Sequence, residues 1–177
     1  INIFLYLTTI DLKIVNSGIS MDILITTLLV FVIFNFFGKS FLGDGGVYGF
    51  SFFLSIIVIN LTVLTDKISP YFIANLLWYP AFENLFCIFR RTIYKKKNYE
   101  ADNEHLHQLL FKYLNSKKIL KKKYLLSSSV GILINAYLLI FYYLGYINYS
   151  ETKFQLILIL LNSISYLGIY FFLKQNK

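Results

Sequence analysis

The chain has 177 residues, of which 57% are hydrophobic, 19% aromatic and 15% charged, and its mean hydropathy is +0.61. Soluble domains are about half apolar and about a quarter charged, so this composition excludes an ordinary soluble domain and indicates a membrane protein. The formal net charge of +8 is concentrated in one segment of the chain.

Five apolar segments are candidate membrane spans. A bilayer core requires about 20 apolar residues of helix, and the segments lack the alternating pattern of barrel strands. We therefore predict an all-α fold: a polytopic bundle of about five transmembrane helices in a single domain over residues 1–177, with residues 1–10 as the end of a further span. The predicted spans cover residues 23–37, 46–65, 69–89, 125–146 and 154–173.

A glycine-rich stretch with one carboxylate, FLGDGGVYGF, joins the first two spans. Glycine lets the backbone approach a ligand closely, and a carboxylate is a hard oxygen ligand suited to Mg²⁺ that is shared with substrate phosphates. The same pattern is typical of a plain turn between helices. Asp44 is therefore a candidate Mg²⁺ ligand, with a simple turn as the alternative interpretation.

The third span contains a proline and an acidic residue in the stretch WYPAFENLF. Pro80 removes a backbone hydrogen bond and predicts a kink in the helix. Glu83 lies at a depth where ionisable groups are costly and usually functional. Two interpretations of Glu83 stay open: a functional group, or a structural partner of Arg90 or Arg91.

The segment 90–124 is the only long polar stretch, and it carries the excess charge. From Arg90 to Lys123 it holds eleven Lys or Arg residues against three acidic residues, while the rest of the chain sums to zero. By the positive-inside rule this loop is cytoplasmic. Alternating the spans then places residues 38–45 on the same face and residues 147–153 outside.

An amphipathic helix is predicted inside this loop, with Asp102 or Asn103 as its cap. We expect its apolar stripe to lie against the membrane or the bundle. His105 and His107 would point in different directions within a helix, but could face one ligand if the helix start is extended. The stripe consists of Leu106, Leu109, Leu110, Tyr113 and Leu114.

Taken in chain order, the segments NFFGKSFLGDGGVYGF, WYPAFENLFCIFRR and ADNEHLHQLLF resemble the membrane transferases that move an N-acetylhexosamine-1-phosphate from a UDP-sugar onto a polyprenyl phosphate. The resemblance covers residues 30–115. It implies a multi-pass protein of the bacterial inner membrane with a cytoplasmic, Mg²⁺-dependent active site. The matching motifs run from Phe41 to Asp44, from Pro80 to Glu83 and from Ala101 to His107.

The resemblance also implies a role for each matching residue. Asp44 would bind Mg²⁺, and Asp44, Glu83 and Asp102 would form the acidic catalytic set. UDP-N-acetylhexosamine, polyprenyl phosphate and membrane lipid are the expected partners, with UMP as the product. No nucleic-acid partner is expected, because few aromatic residues interleave with the lysines of the loop. The expected phosphate-binding residues are Arg90, Arg91, His105 and His107.

The sequence departs from the family pattern at three positions and over one region. Glu83 replaces an aspartate, Gln108 a histidine and Val47 a serine. The HLHQ form is closer to transferases for simple amino sugars than to the muramoyl-pentapeptide enzyme. The family's paired aspartates belong to an N-terminal half that these 177 residues do not include. We therefore expect the chain to be the C-terminal half of a longer transferase and to be inactive alone.

Two other functions stay open. The basic loop could make this a non-enzymatic membrane protein that binds anionic lipid. Glu83 could instead serve an ion or proton transporter. Release of UMP that depends on substrate separates the transferase from both.

Overall fold

The computed structural model describes residue 7 and residues 21–93, 104–118 and 122–176. The described residues form helices and connecting turns without strands, so the predicted all-α fold is confirmed. The predicted end of a span at residues 1–10 lies outside the described residues, apart from residue 7. The helices are α1 (Met21–Phe36), α2 (Gly43–Leu64), α3 (Pro70–Leu76), α4 (Trp78–Ile93), α5 (Leu106–Ser116), α6 (Lys123–Ile147) and α7 (Thr152–Gln175).

Three of these helices, α2, α6 and α7, are long and apolar enough to cross a membrane. Helices α3 and α4 pass the same test as a pair, which gives up to four spans in the described part of the chain. Helix α1 has 16 residues. At a rise of about 1.5 Å per residue it is about 24 Å long, shorter than the roughly 30 Å hydrocarbon core. The prediction of several helices with the length and composition of membrane spans is confirmed, and the number five stays a prediction.

A bend of 70° separates α3 from α4 at Leu77. Pro80 explains its position, because proline has no N–H to donate to the carbonyl four residues earlier, and that carbonyl belongs to Leu76. Leu76 is the last residue of α3. The kink predicted from Pro80 is therefore confirmed, and it takes the form of a complete break.

Helix α3 lies at the centre of the bundle, in contact with α6 and α7. Beyond the bend, aromatic rings fix α4 against α7. Trp78 stacks on Phe82 with ring centroids 4.7 Å apart, and Phe82 stacks on Phe86 at 6.2 Å. Tyr166 of α7 meets all three rings edge-on, and Tyr170 meets Phe86 in the same way. This packing sets the face of α4 that also carries Glu83.

Two fully buried amides connect α3 to the turn between α6 and α7. Asn75 Nδ2 donates to Gln155 Oε1 at 3.3 Å, and Gln155 Nε2 donates to the carbonyls of Gly145 at 2.7 Å and Asn148 at 2.8 Å. A Cβ at Gly145 would lie 2.5 Å from Asn75 Nδ2 and 3.1 Å from Gln155 Oε1. The amide pair therefore requires glycine at this position.

Gly145→Ala should destabilise the protein by about 1–3 kcal/mol, the usual cost of overpacking a well-filled core. The added methyl group has to displace a buried amide that is hydrogen bonded. Unfolding in detergent measures the loss. Gly168→Ala is the matched control, because a Cβ there meets no atom within 4 Å. Equal stability of the two variants would contradict the packing around Gly145.

Contacts at the helix ends determine which turns share a face. Ser128 of α6 donates to the carbonyl of Phe36 at 3.0 Å, and a Cβ at Gly38 would lie 3.6 Å from Cβ of Tyr124. The turn before α2 is therefore beside the start of α6. This agrees with the charge pattern, which placed residues 38–45 and the basic loop on one face. The compartment that this face meets stays a prediction.

Candidate functional site

Glu83 lies inside the bundle, and its carboxylate joins α4 to two other helices. The residue is 8% exposed. Tyr166 of α7 donates its hydroxyl to Oε2 at 2.7 Å, and the backbone N–H of Leu106 donates to Oε1 at 3.0 Å. Nδ1 of His105 lies 3.0 Å from the same Oε1. The carboxylate therefore binds the first residues of α5 to the membrane bundle.

Helix α5 begins with an unusual cap. Its N-cap is His105, so the predicted cap at Asp102 or Asn103 is wrong. Gln108 Oε1 accepts a hydrogen bond from the His105 backbone N–H at 3.2 Å. Glu83 accepts from the next N–H of the first turn, which would otherwise lack a partner, and a negative charge is favourable at a helix N-terminus. A residue 23 positions away in sequence thus takes the part of a local capping side chain.

The apolar stripe predicted for α5 is confirmed. Leu106 is 2% exposed and Leu109 is 0% exposed, and both belong to the hydrophobic core of the bundle. The rest of the stripe is partly buried against that core and consists of Leu110, Tyr113 and Leu114. The helix therefore packs on the bundle and exposes its other face.

The two histidines lie side by side at the start of α5. Their ring centroids are 5.6 Å apart, with an interplanar angle of 12°. The backbone of His105 is extended, with ψ 152°, and this brings its ring beside that of His107 instead of away from it. The arrangement matches the prediction of an extended helix start. His105 contacts the buried carboxylate, whereas His107 is exposed at the surface of the loop.

The surroundings of His107 make it a weaker base than an ordinary histidine. Partial desolvation lowers the pKa of His107 below its usual 6.5, and His105 also lowers it, while Glu83 has the opposite effect. The unfolded chain therefore takes up this proton at a higher pH than the folded chain. The contribution of His107 to stability is complete above about pH 6.5 and is lost as the pH falls through the lowered pKa.

We expect the thermal stability of the parent protein to fall more steeply than that of His107→Gln between pH 7 and pH 5. The variant has no proton to take up at this position, so one source of pH dependence is removed. Unfolding curves in detergent across this range measure the difference. Parallel pH profiles of the two proteins would contradict the lowered pKa.

A second buried charge, Arg90, lies in the last turn of α4, two turns after Glu83. Arg90 is 7% exposed, and its Nη1 donates to the Glu104 carbonyl and to the Tyr170 hydroxyl, each at 2.7 Å. Its Nε lies 3.7 Å from Glu104 Oε2, and Lys174 Nζ lies 3.4 Å from the same oxygen. These contacts bind the residue before the N-cap of α5 to α4 and α7. The predicted phosphate-binding role of Arg90 stays a prediction, as does that of its partly exposed neighbour Arg91.

Asp44 is exposed in the first turn of α2. Gly43 has φ +63°, in the left-handed region that favours glycine. A Cβ at Gly46 would lie 2.7 Å from Cγ of Leu42. The backbone conformation explains Gly43, and the close packing of Leu42 explains Gly46. Both explanations are those expected for a simple turn. The carboxylate of Asp44 is favourable at the helix N-terminus and is also accessible to a ligand.

The described residues contain no group of three or more His, Cys, Asp or Glu side chains that could hold a metal ion. A complete metal cage of protein ligands is therefore not present in this part of the chain. Mg²⁺ is commonly bound through one or two carboxylates, with water and substrate phosphates as its other ligands. The exposed carboxylate of Asp44 fits that chemistry as one ligand. Asp102 lies outside the described residues.

The motifs of the sequence do not indicate three partners of the charged residues, namely Tyr166, Tyr170 and Glu104. Spacing offers a signal that could have found the two tyrosines. Glu83 and Arg90 are seven residues apart and share one face of α4, while the tyrosines are four apart and share one face of α7. Matching polar positions on the two helices would have paired them.

Comparison of the chain with protein-family models, with curated proteins and with solved structures found no match. Function is therefore inferred from the ordered motifs and from the contacts of the site.

Proposed function

We propose that this chain is part of a membrane transferase that moves an N-acetylhexosamine-1-phosphate from a UDP-sugar to a polyprenyl phosphate, releases UMP and initiates cell-envelope glycan synthesis. The observation that supports this best is a contact between two of the three motif segments. Glu83 of WYPAFENLF binds His105 and the backbone of Leu106 in EHLHQ, across more than 20 residues of sequence. Segments that carry one active site should meet in this way.

The side chains of this region suit a diphosphate substrate. Phosphoryl transfer depends on positioning and on neutralising charge around phosphorus. His107 and Arg91 are accessible at the loop face and would bind phosphate oxygens. Glu83 is buried and would act through His105, by fixing the helix start that presents the second histidine. Asp102 would orient the loop.

In the proposed reaction an oxygen of the lipid phosphate attacks the sugar-bearing phosphorus of the UDP-sugar. The bond from that phosphorus to the bridging oxygen breaks, and UMP leaves with the bond's electron pair. Asp44 would hold Mg²⁺, which supplies positive charge beside the diphosphate when bound. The acceptor phosphate lies at headgroup level with its chain in the bilayer, so a site on a membrane face is required.

The proposed topology follows from the charge pattern and has five spans, with the site on the cytoplasmic face of the bacterial inner membrane. The shared face of the basic loop and the turn before α2 supports it. The acceptor lipid and the nucleotide sugar would meet on this face.

The experiment is an assay of UMP release in membranes that contain the protein in its full-length context. UDP-N-acetylglucosamine or UDP-N-acetylgalactosamine, undecaprenyl phosphate and Mg²⁺ are supplied together and then omitted one at a time. We expect release only when a nucleotide sugar, the lipid phosphate and Mg²⁺ are all present. Release that does not depend on the lipid phosphate, or no release with either sugar, would contradict the transferase.

A further inference from the structure

A cavity of about 380 Å³ lies between the exposed side of α5 and the second and third turns of α6. We refer to this space, which residues of both helices line, as the loop cavity. Its volume is within the range of roughly 300–1,000 Å³ that is usual for small-molecule sites. His107 and Gln108 also line the loop cavity, so it adjoins the start of α5 that Glu83 binds.

The lining of the loop cavity has a polar part and an apolar part. Lys112 of α5 supplies a cation, and Ser127 of α6 supplies a hydroxyl that makes no hydrogen bond to any other residue in the described part of the chain. Phe111 and Val130 supply the apolar surface. A cation and a hydroxyl beside an apolar wall suit an amphiphile with an anionic head.

Gly131 leaves the apolar part of the loop cavity open. A Cβ at this glycine would meet no atom within 4 Å, so the packing of α6 does not require glycine here. A larger side chain at this position would extend into the cavity without displacing the backbone. Gly131 is therefore the residue with which to fill the cavity.

The position of the loop cavity favours a lipid as its occupant. Helix α6 is apolar enough to span a membrane and begins at Lys123. Ser127 and Gly131 follow one and two turns later, about 6–12 Å along the helix at 1.5 Å per residue. This is the depth of the headgroups and of the upper acyl chains. Exposed lysines surround the same helix start, namely Lys117, Lys118, Lys122 and Lys123.

We infer that the loop cavity binds one anionic phospholipid, with its phosphate at Lys112 and Ser127 and the upper part of one acyl chain along Phe111 and Val130. The bound lipid would connect α5 to α6. The site shares His107 with the proposed transferase, but lipid binding would occur equally in a membrane protein without enzymatic activity.

The test is native mass spectrometry of the protein released from nanodiscs of neutral phosphatidylcholine that contain a fixed fraction of phosphatidylglycerol. We expect the parent to retain one phosphatidylglycerol. Lys112→Gln should weaken retention roughly tenfold or more, as expected when a hydrogen bond to a charged group is lost. Gly131→Leu should weaken it at least as much, by filling the space.

Two control variants change the same residue types outside the loop cavity. Lys117→Gln removes an exposed lysine from the end of the same helix, and Gly168→Leu enlarges an exposed glycine of α7. Both should retain the lipid as the parent does. Equal losses in Lys112→Gln and Lys117→Gln would overturn the site, because they would indicate attraction by surface charge alone.

Two competition experiments identify which phosphate compound occupies the loop cavity. Inorganic phosphate at millimolar concentration should not displace the lipid, because it lacks the acyl chain, and displacement would overturn the lipid assignment. Undecaprenyl phosphate added in equal amount should not displace phosphatidylglycerol, and preferential displacement would overturn the assignment to a bulk phospholipid. Lys112→Gln changes only an exposed side chain, so the test stands even if Gly131→Leu fails to fold.

Discussion

Asp44→Asn should lower Mg²⁺-dependent release of UMP by roughly 10²–10³-fold or more, the usual loss when a group that stabilises charge in the transition state is removed. The substitution keeps the size of the side chain and removes its charge. Asp44 is exposed in the first turn of α2, so the structural cost is limited to the helix dipole, about 0.3–1 kcal/mol. Loss of turnover in a folded protein would therefore point to metal binding.

Asp66→Asn is the matched control for Asp44→Asn. Asp66 is an exposed aspartate just beyond the other end of α2, and it should tolerate the change with full activity. Both variants are assayed in the full-length context, and their unfolding in detergent is compared with that of the parent. Turnover of Asp44→Asn within a few-fold of Asp66→Asn would exclude Asp44 from the metal site and leave the simple turn as its explanation.

Glu83→Ala should release α5 from the bundle. The change leaves the Leu106 N–H and the Tyr166 hydroxyl without their acceptor, and each buried unpaired donor costs about 1–3 kcal/mol. An opening easier by about 2 kcal/mol or more corresponds to a loss of roughly 30-fold in amide protection. Hydrogen exchange of α5 in nanodiscs, detected by mass spectrometry, measures this directly and does not require the proposed activity.

Glu83→Gln separates the hydrogen bonds of Glu83 from its charge. The amide oxygen can still accept from the Leu106 N–H, so protection of α5 should fall less than in Glu83→Ala. If the transferase is correct, UMP release should follow the same order, with Glu83→Ala below Glu83→Gln. Unchanged protection of α5 in Glu83→Ala would contradict the role of this carboxylate in fixing the loop.

Patterns that depend on neighbouring residues could be predicted well from this sequence. Pro80 predicted the break before it, because the missing N–H concerns a carbonyl only four residues away. The spacing of leucines predicted α5 and its buried side, because helical periodicity is a local property. The shared face of the basic loop and the glycine turn followed from the alternation of the spans.

Partners that are distant in sequence could not be predicted. Local sequence predicts a cap of α5 at Asp102 or Asn103, whereas the acceptor is Glu83, which approaches because the aromatic rings fix α4 against α7. Only its spacing from Tyr170 could have indicated Tyr166, because a tyrosine is otherwise ordinary in an apolar span. The alternative that Glu83 pairs with Arg90 or Arg91 is wrong, since its partners are His105, Tyr166 and a backbone N–H. A functional role of Glu83 stays a prediction.

The central position of α3 and α4 has a consequence for how the protein is made. Asn75 finds Gln155 80 residues later in the chain, and Glu83 finds Tyr166 83 residues later. At about 5–20 residues per second, the ribosome needs roughly 4–16 seconds to make that length of chain. For this interval the broken helix is already synthesised while the Asn75 amide lacks Gln155 and the Glu83 carboxylate lacks Tyr166. The translocon, or water at the membrane face, has to accommodate both until α7 arrives, so α7 completes the insertion of a helix made long before it.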